Sequence, residues 1–171
     1  WYPYSEAYID GKSSASDYVK AWRHIVDIFR KTGADNVAWV WSPSVVDVGS
    51  VPAWKYYPGD EYVDWIGVSF YSSNNLNALD SLYQTHSQRK PFFITEWATS
   101  TDKNRFNPKF SGEAAWVNGF FNGLETRYKR VKAISWFEWS GRDGNYMLER
   151  VPAQQKVYMD RIKNERYLAN F

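Results

Sequence analysis

Of the 19 acidic residues in this chain, Glu96 has the setting most suited to chemistry. It closes the apolar run Pro-Phe-Phe-Ile-Thr-Glu-Trp at 91–97, with Ile94 and Trp97 close on either side. A carboxylate among such neighbours is costly to take out of water unless it is hydrogen-bonded. Catalysis explains that cost better than packing does. A carboxylate at a strand end can serve as a nucleophile or a general acid/base. Cleavage of a glycosidic bond uses carboxyl groups in pairs, roughly 5–5.5 Å apart when the anomeric configuration is retained. Glu138 is the rival carboxylate, one step past another strand between Trp136 and Trp139.

Other polar clusters have weaker claims. Asp60, Glu61 and Asp64 are close in sequence, but their spacing fits no standard metal loop, so a solvated turn is expected. His24 and His86 are lone histidines on helical stretches, and structural roles are expected for both. Cysteine is absent, which excludes disulfides, thiolate zinc sites and a thiol nucleophile together. Hydrolysis by two carboxylates needs no cofactor and no metal.

The elements that must position Glu96 can be read from periodicity. Tyr18, Ala21, Trp22, Ile25, Ile28 and Phe29 form a helical stripe between Asp17 and Lys31, with Ser16 as a candidate N-cap and Gly33 just past the end. Strands are predicted at 36–41, within 62–71, at 91–95 and at 131–137. Leu76, Leu79, Leu82, Tyr83 and His86 trace one intervening helix. Trp116, Val117, Phe120, Phe121, Leu124 and Tyr128 trace another, opening near Ser111. Pro152 suits the first turn of a last helix. Wholly apolar strands separated by helices imply a parallel sheet covered by helices. No Gly-x-Gly-x-x-Gly or Walker-type loop follows a strand, so a nucleotide-binding sheet has no support.

Composition suggests a surface on which flat groups stack, be they sugars, bases or peptides. Aromatic residues make up 19% of the chain, with 10 Trp and 13 Tyr, more rings than a core alone requires. Several lie at strand ends: Trp41, Tyr71, Trp97 and Trp136. In a (β/α) barrel the C-terminal strand ends converge on one mouth, where the active site sits. The net charge of +2, without a basic block, argues against nucleic acid. No apolar run approaches the ~20 residues that would span a bilayer. Trp22, Trp39, Trp65 and Trp116 fit inward faces and are expected in the core.

The motif Ile-Thr-Glu-Trp-Ala at 94–98 resembles the nucleophile strand of glycoside hydrolase family 26, which contains β-mannanases and related β-glucanases. The same resemblance extends to Tyr18-Val-x-Ala-Trp-Arg-His-Ile-Val-Asp at 18–27 and Asn-Val-Ala-Trp-Val-Trp-Ser-Pro at 36–43. It is carried further by Tyr-Pro-Gly-Asp-Glu-Tyr-Val-Asp-Trp-Ile-Gly-Val at 57–68 and Ala-Ile-Ser-Trp-Phe at 133–137. It implies one catalytic domain over 1–171: an α/β chain forming part of a (β/α)8 TIM barrel, roughly strands 5–8 with their helices, without strands 1–4.

By the same resemblance Glu96 is the nucleophile and Tyr71 the residue that orients it. Trp1, Trp41, Trp97 and Trp136 would be stacking positions for sugar. The implied activity is retaining endo-hydrolysis of β-1,4-mannan-type polysaccharide, with mixed-linkage β-glucan or xylan as the alternative substrate. A non-catalytic glycan-binding half-barrel is the alternative from another class. The family's acid/base Glu precedes a Trp-Tyr-Pro-Trp-like segment, which Trp1-Tyr-Pro-Tyr resembles. The acid/base is therefore expected upstream of Trp1, with the N-terminal half of the barrel as the partner, and Glu6 is a poor substitute. A basic residue often follows the last strand's Trp in the family, where this chain has Phe137. Polysaccharide breakdown implies an extracellular place of action.

Overall fold

A computed structural model describes residues 13–47, 49–72, 74–99, 112–141 and 144–167. Four strands form one parallel sheet: β1 (Val40–Trp41), β2 (Trp65–Tyr71), β3 (Phe92–Ala98) and β4 (Val131–Trp136). Their spatial order is their chain order. Described helices are α1 (Ala15–Lys31), α2 (Asp80–His86), α3 (Glu113–Thr126) and α4 (Pro152–Ile162). A two-residue-per-strand hairpin, β5 (Ser140–Gly141) with β6 (Gly144–Asn145), follows β4.

The helices cover one face of the sheet. Ile66, Val68 and Phe70 alternate along β2, and Phe70 stacks on Trp116 of α3 at 5.8 Å between ring centroids. Phe92 meets Tyr83 of α2, and Trp97 meets Phe120 of α3 and Tyr158 of α4. The opposite face carries Trp65, Gly67, Ser69 and Tyr71 from β2, then Phe93, Thr95 and Glu96 from β3. Period-2 alternation sets an apolar helix-facing layer against a mixed open layer, except where β3 breaks the alternation at Thr95–Glu96.

Helix α1 begins two residues earlier than its periodicity suggests. Ser14, not Ser16, is its N-cap: its hydroxyl accepts from the Asp17 amide, and the Asp17 carboxylate accepts from the Ser14 amide. This is a reciprocal capping box with Asp in the place usually taken by Glu. Gly33, at φ 72°, ends the helix as expected. The buried stripe runs through Ala15 and Val26, with Tyr18 and Trp22 packed on the core. Ile25, Ile28 and Phe29, expected inside, are exposed.

Strand β1 is shorter than expected because Asp64 takes over at its start. The Asp64 carboxylate accepts from the Trp39 amide at 2.7 Å, and the Trp39 carbonyl accepts from the amides of Asp64 and Trp65. A 3-10 turn (Leu76–Leu79) precedes α2 where a continuous helix is expected. Ser111, the expected cap of α3, lies outside the described residues.

The segment between β1 and β2 is a rivet rather than a solvated turn. Asp60 accepts from the Tyr57 hydroxyl and from Arg89, both at 2.6 Å. The carbonyls of Pro58, Asp60, Glu61 and Tyr62 are taken by Arg23, Lys90, Arg30 and Trp22 in turn. His86 packs between Trp41 and Tyr57 as a buried core residue, while His24 is exposed on α1. These contacts cluster at the N-terminal end of β2, opposite Glu96, where barrel-like sheets keep stability rather than chemistry.

Candidate active site

Strand β3 carries an irregularity at the place where chemistry is expected. Ile94 pairs with Val68, but Glu96 pairs with the next residue of β2, Ser69. On the other side Ile94 pairs with Ile134 and Trp97 with Trp136, so two residues of β3 stand against the single Ser135. This is a β-bulge at Thr95–Glu96. Strict alternation would send Glu96 to the helix face with Ile94. The extra residue instead places both Thr95 and Glu96 on the open face and returns Trp97 to the helices.

Thr95 anchors this displaced backbone. Its hydroxyl and that of Ser42, just past β1, are 2.6 Å apart. The two strands involved flank β2, so this hydrogen bond passes over Gly67. A Cβ at Gly67 would lie 2.6 Å from the Ser42 Cβ and 2.9 Å from the Thr95 Cγ2. Only glycine permits the two hydroxyls to meet there.

Glu96 is half-buried, and its Oε2 accepts a 2.8 Å hydrogen bond from the Tyr71 hydroxyl. Tyr71 is held in turn by rings: Phe137 edge-on at 5.9 Å and Tyr146 at 5.6 Å. Phe137 is itself fixed by donating its amide to the Trp97 carbonyl. The site is thus a carboxylate at the C-terminal end of a central strand, gripped by a phenol and walled by aromatic side chains. An oxygen positioned in this way can attack an electrophilic carbon without reorganising.

Glu138 has a different occupation. Both of its oxygens accept from the Leu148 amide, at 3.0 and 3.1 Å. Partial removal from water, reinforced by a hydrogen bond and repulsion from Glu149, raises it above the ordinary carboxylate range against the lowering effect of that amide. Its charge also bears on Tyr158 of α4. Glu138 therefore acts as a clasp on the helix side, whereas Phe137 and Trp139, on either side of it, join the ring cluster of Tyr71. Behind the site, buried Thr99 and Gln154 share a 2.5 Å hydrogen bond. Arg150 bridges Thr99 and Glu113, which ties the segment after β4 to the end of β3.

The expected stacking tryptophans do not face this site. Trp97 is 0% exposed and lies 4.0 Å from Phe120, ring stacked on ring. Trp41 is buried against Tyr57 and His86. Trp136 packs between Trp97 and Tyr158, with its indole N–H donated to the Tyr146 carbonyl. All three belong to the helix-facing layer, because the residue after a bulge or at a strand end takes whichever face the register dictates. Trp1 and Glu6 lie outside the described residues. Sequence reading missed Tyr146 and Trp139; the alternation Phe137, Glu138, Trp139 was the available signal. Among the described residues no group of three or more His, Cys, Asp or Glu side chains could hold a metal ion, and Asp60 and Asp64 are engaged as described above.

Comparison with known proteins adds a family. The sequence profile described as glycosyl hydrolase family 26 matches residues 1–135. Endoglucanase H of Acetivibrio thermocellus is 29% identical over 95% of this chain, which spans 19% of that protein. The mannan endo-1,4-beta-mannosidase of Bacillus subtilis is 28% identical over 72% of this chain and 30% of its own length. The chain thus spans less than a third of either relative. The solved catalytic domain of a GH26 endo-beta-1,4-mannanase from Bacillus sp. JAMB-750 superposes with a TM-score of 0.66 at 21% identity, over 92% of this chain and 46% of that one. At that identity the likeness establishes the fold: an α/β arrangement with a parallel sheet.

Proposed function

The chain belongs to glycosyl hydrolase family 26, and on that premise we propose that it forms the nucleophile-bearing part of a retaining endo-β-glycosidase acting on β-1,4-mannan-type polysaccharide. The observation that carries this reading is the 2.8 Å hydrogen bond from Tyr71 to Glu96 at the bulged end of β3. With Oε2 held by the phenol, Oε1 attacks the anomeric carbon as the glycosidic bond breaks. The departing oxygen takes a proton from a second carboxyl group. Water then attacks the glycosyl-enzyme ester, gives its proton to that same group, and releases Glu96.

The second carboxyl is assigned to the part of the family's domain that this chain does not span. In that reading the four strands are strands 5–8 of a (β/α)8 barrel. Their consecutive parallel order and helices on one face support it. So does the fact that the chain covers just under half of the solved mannanase domain. Glu138 does not suit the acid/base role, since its oxygens are committed to the Leu148 amide. An extracellular place of action follows from the polymeric substrate.

A mixed-linkage β-glucan is the second reading, with xylan behind it. A relative matched over 95% of this chain is called an endoglucanase, which favours that alternative. Reducing-sugar release from β-1,4-mannan, mixed-linkage β-glucan and xylan, measured on the complete protein that carries this sequence, separates the three. Preference for mannan is expected. Preference for either other polymer replaces the substrate, and glycan binding without release from any of them replaces hydrolysis by a binding role.

A further inference from the structure

The hairpin after β4 holds one ring that neither the fold nor Glu96 requires. Trp139 is 38% exposed, although it is among the largest apolar side chains in the protein. Its ring is nevertheless fixed. It lies over the backbone of Gly141, where a Cβ would fall 2.2 Å from two of the indole carbons. Its plane stacks on Phe137 at 6.2 Å and 29°, and Tyr146 lies at 6.3 Å. The Tyr146 amide donates to the Trp139 carbonyl at 2.8 Å, so the hairpin locks backbone and ring together. Phe137 and Tyr146 are the same two rings that wall Tyr71, and Tyr71 holds Glu96. A rigid, half-open indole therefore continues the aromatic wall of the nucleophile outward.

We propose that Trp139, seated on Gly141, is a stacking platform for a pyranose ring of the glycan adjacent to the ring attacked by Glu96. The apolar C–H face of a pyranose matches a flat ring whose other side is already packed. Preorganisation by Gly141, Phe137 and Tyr146 removes most of the ordering cost of binding. The inference rests on the hydrolase reading given above, and the following test separates the two.

Steady-state kinetics on mannohexaose and cellohexaose, together with tryptophan-fluorescence titration of the same oligosaccharides, are measured for the complete protein and for three variants. Trp139→Ala should raise KM on the order of tenfold, the worth of one aromatic partner, while kcat falls less than threefold. Gly141→Ala, which pushes the ring off its seat without removing it, should raise KM in the same direction. Trp139→Phe should restore most of the loss, which a merely structural role would not require. Cleavage with unaltered KM in Trp139→Ala and Gly141→Ala overturns the platform and leaves hydrolysis standing. Binding that Trp139→Ala abolishes, without cleavage by the parent, supports the platform and overturns hydrolysis. Neither binding nor cleavage by the parent overturns both.

Discussion

Tyr71 and Glu96 meet across neighbouring strands that are one residue out of step: the phenol donates to Oε2 at 2.8 Å, and the bulge at Thr95–Glu96 turns that carboxylate toward it. Glu96 pairs in register with Ser69, so Tyr71 lies two residues further along the same face. A side chain as long as tyrosine spans that diagonal. Tyr71→Phe keeps the ring packing on Phe137 and Tyr146 and removes only the donor. A hydrogen bond to a charged group is worth roughly 1.5–3 kcal/mol. The expected result is a kcat about 10–100-fold lower with KM little changed, read from steady-state kinetics on mannan. A loss below twofold would remove Tyr71 from the positioning role.

Gly67 keeps the open face clear where Ser42 and Thr95 bond across it. A methyl group there would lie 2.6 Å from the Ser42 Cβ, with no room for either neighbour to yield without breaking the 2.6 Å hydroxyl contact. Gly67→Ala should destabilise the fold by about 1–3 kcal/mol through overpacking. Denaturant unfolding measures this, and unchanged stability would show that the three-strand layer is loose.

The Asp60 rivet should matter for folding and not for chemistry. The Tyr57 hydroxyl, then Arg89 and Lys90, hold the Asp60 carboxyl below its usual range despite some opposing desolvation. A depressed folded value stabilises the protein above the unfolded carboxylate range, and that contribution is lost as pH falls through the folded value. Asp60→Asn should therefore cost about 1 kcal/mol of stability at neutral pH given the partly exposed pair, read as a lower melting temperature, and flatten the acid side of the stability profile. Its kcat should stay within twofold of the parent, and a larger loss would tie the N-terminal face to the site.

The N-cap of α1 gives a second acid-sensitive contact. Hydrogen bonds from the Ser14 hydroxyl and amide, followed by Lys20, lower Asp17 to about 2. Its stabilising effect is complete above the ordinary Asp range and fades as pH falls from about 4 toward 2. Ser14→Ala should cost about 1 kcal/mol at neutral pH and shrink that acid-limb loss. Thermal melts of parent and variant across this range would show it, and parallel profiles would contradict the reciprocal cap.

The sequence made some of this legible and hid the rest for physical reasons. Glu96 was visible because an apolar run ends on it, a local signal. The bulge was not, because register belongs to three strands at once. Trp41, Trp97 and Trp136 were readable as strand-end rings, but the face each takes depends on that register, and all three went to the helices. Trp139 was readable only as a neighbour of Glu138, because what fixes its ring is Gly141, two residues on, and Tyr146 across a hairpin. Ser14 and Asp17 had the spacing of a capping box throughout, with Asp replacing the more familiar Glu. Four of the six α1 stripe residues, Ala21, Ile25, Ile28 and Phe29, are exposed, since period fixes spacing but not which neighbouring surface is present to cover it.

The most direct test of the central claim is to trap the covalent intermediate. An activated 2-deoxy-2-fluoro β-mannoside is incubated with the complete protein that carries this sequence, and the labelled peptides are then mapped by mass spectrometry. One glycosyl adduct on Glu96, absent from Glu96→Ala, is the expected result. An adduct on Glu138 or another carboxylate, or turnover of β-mannan with inversion at the anomeric carbon, would contradict it.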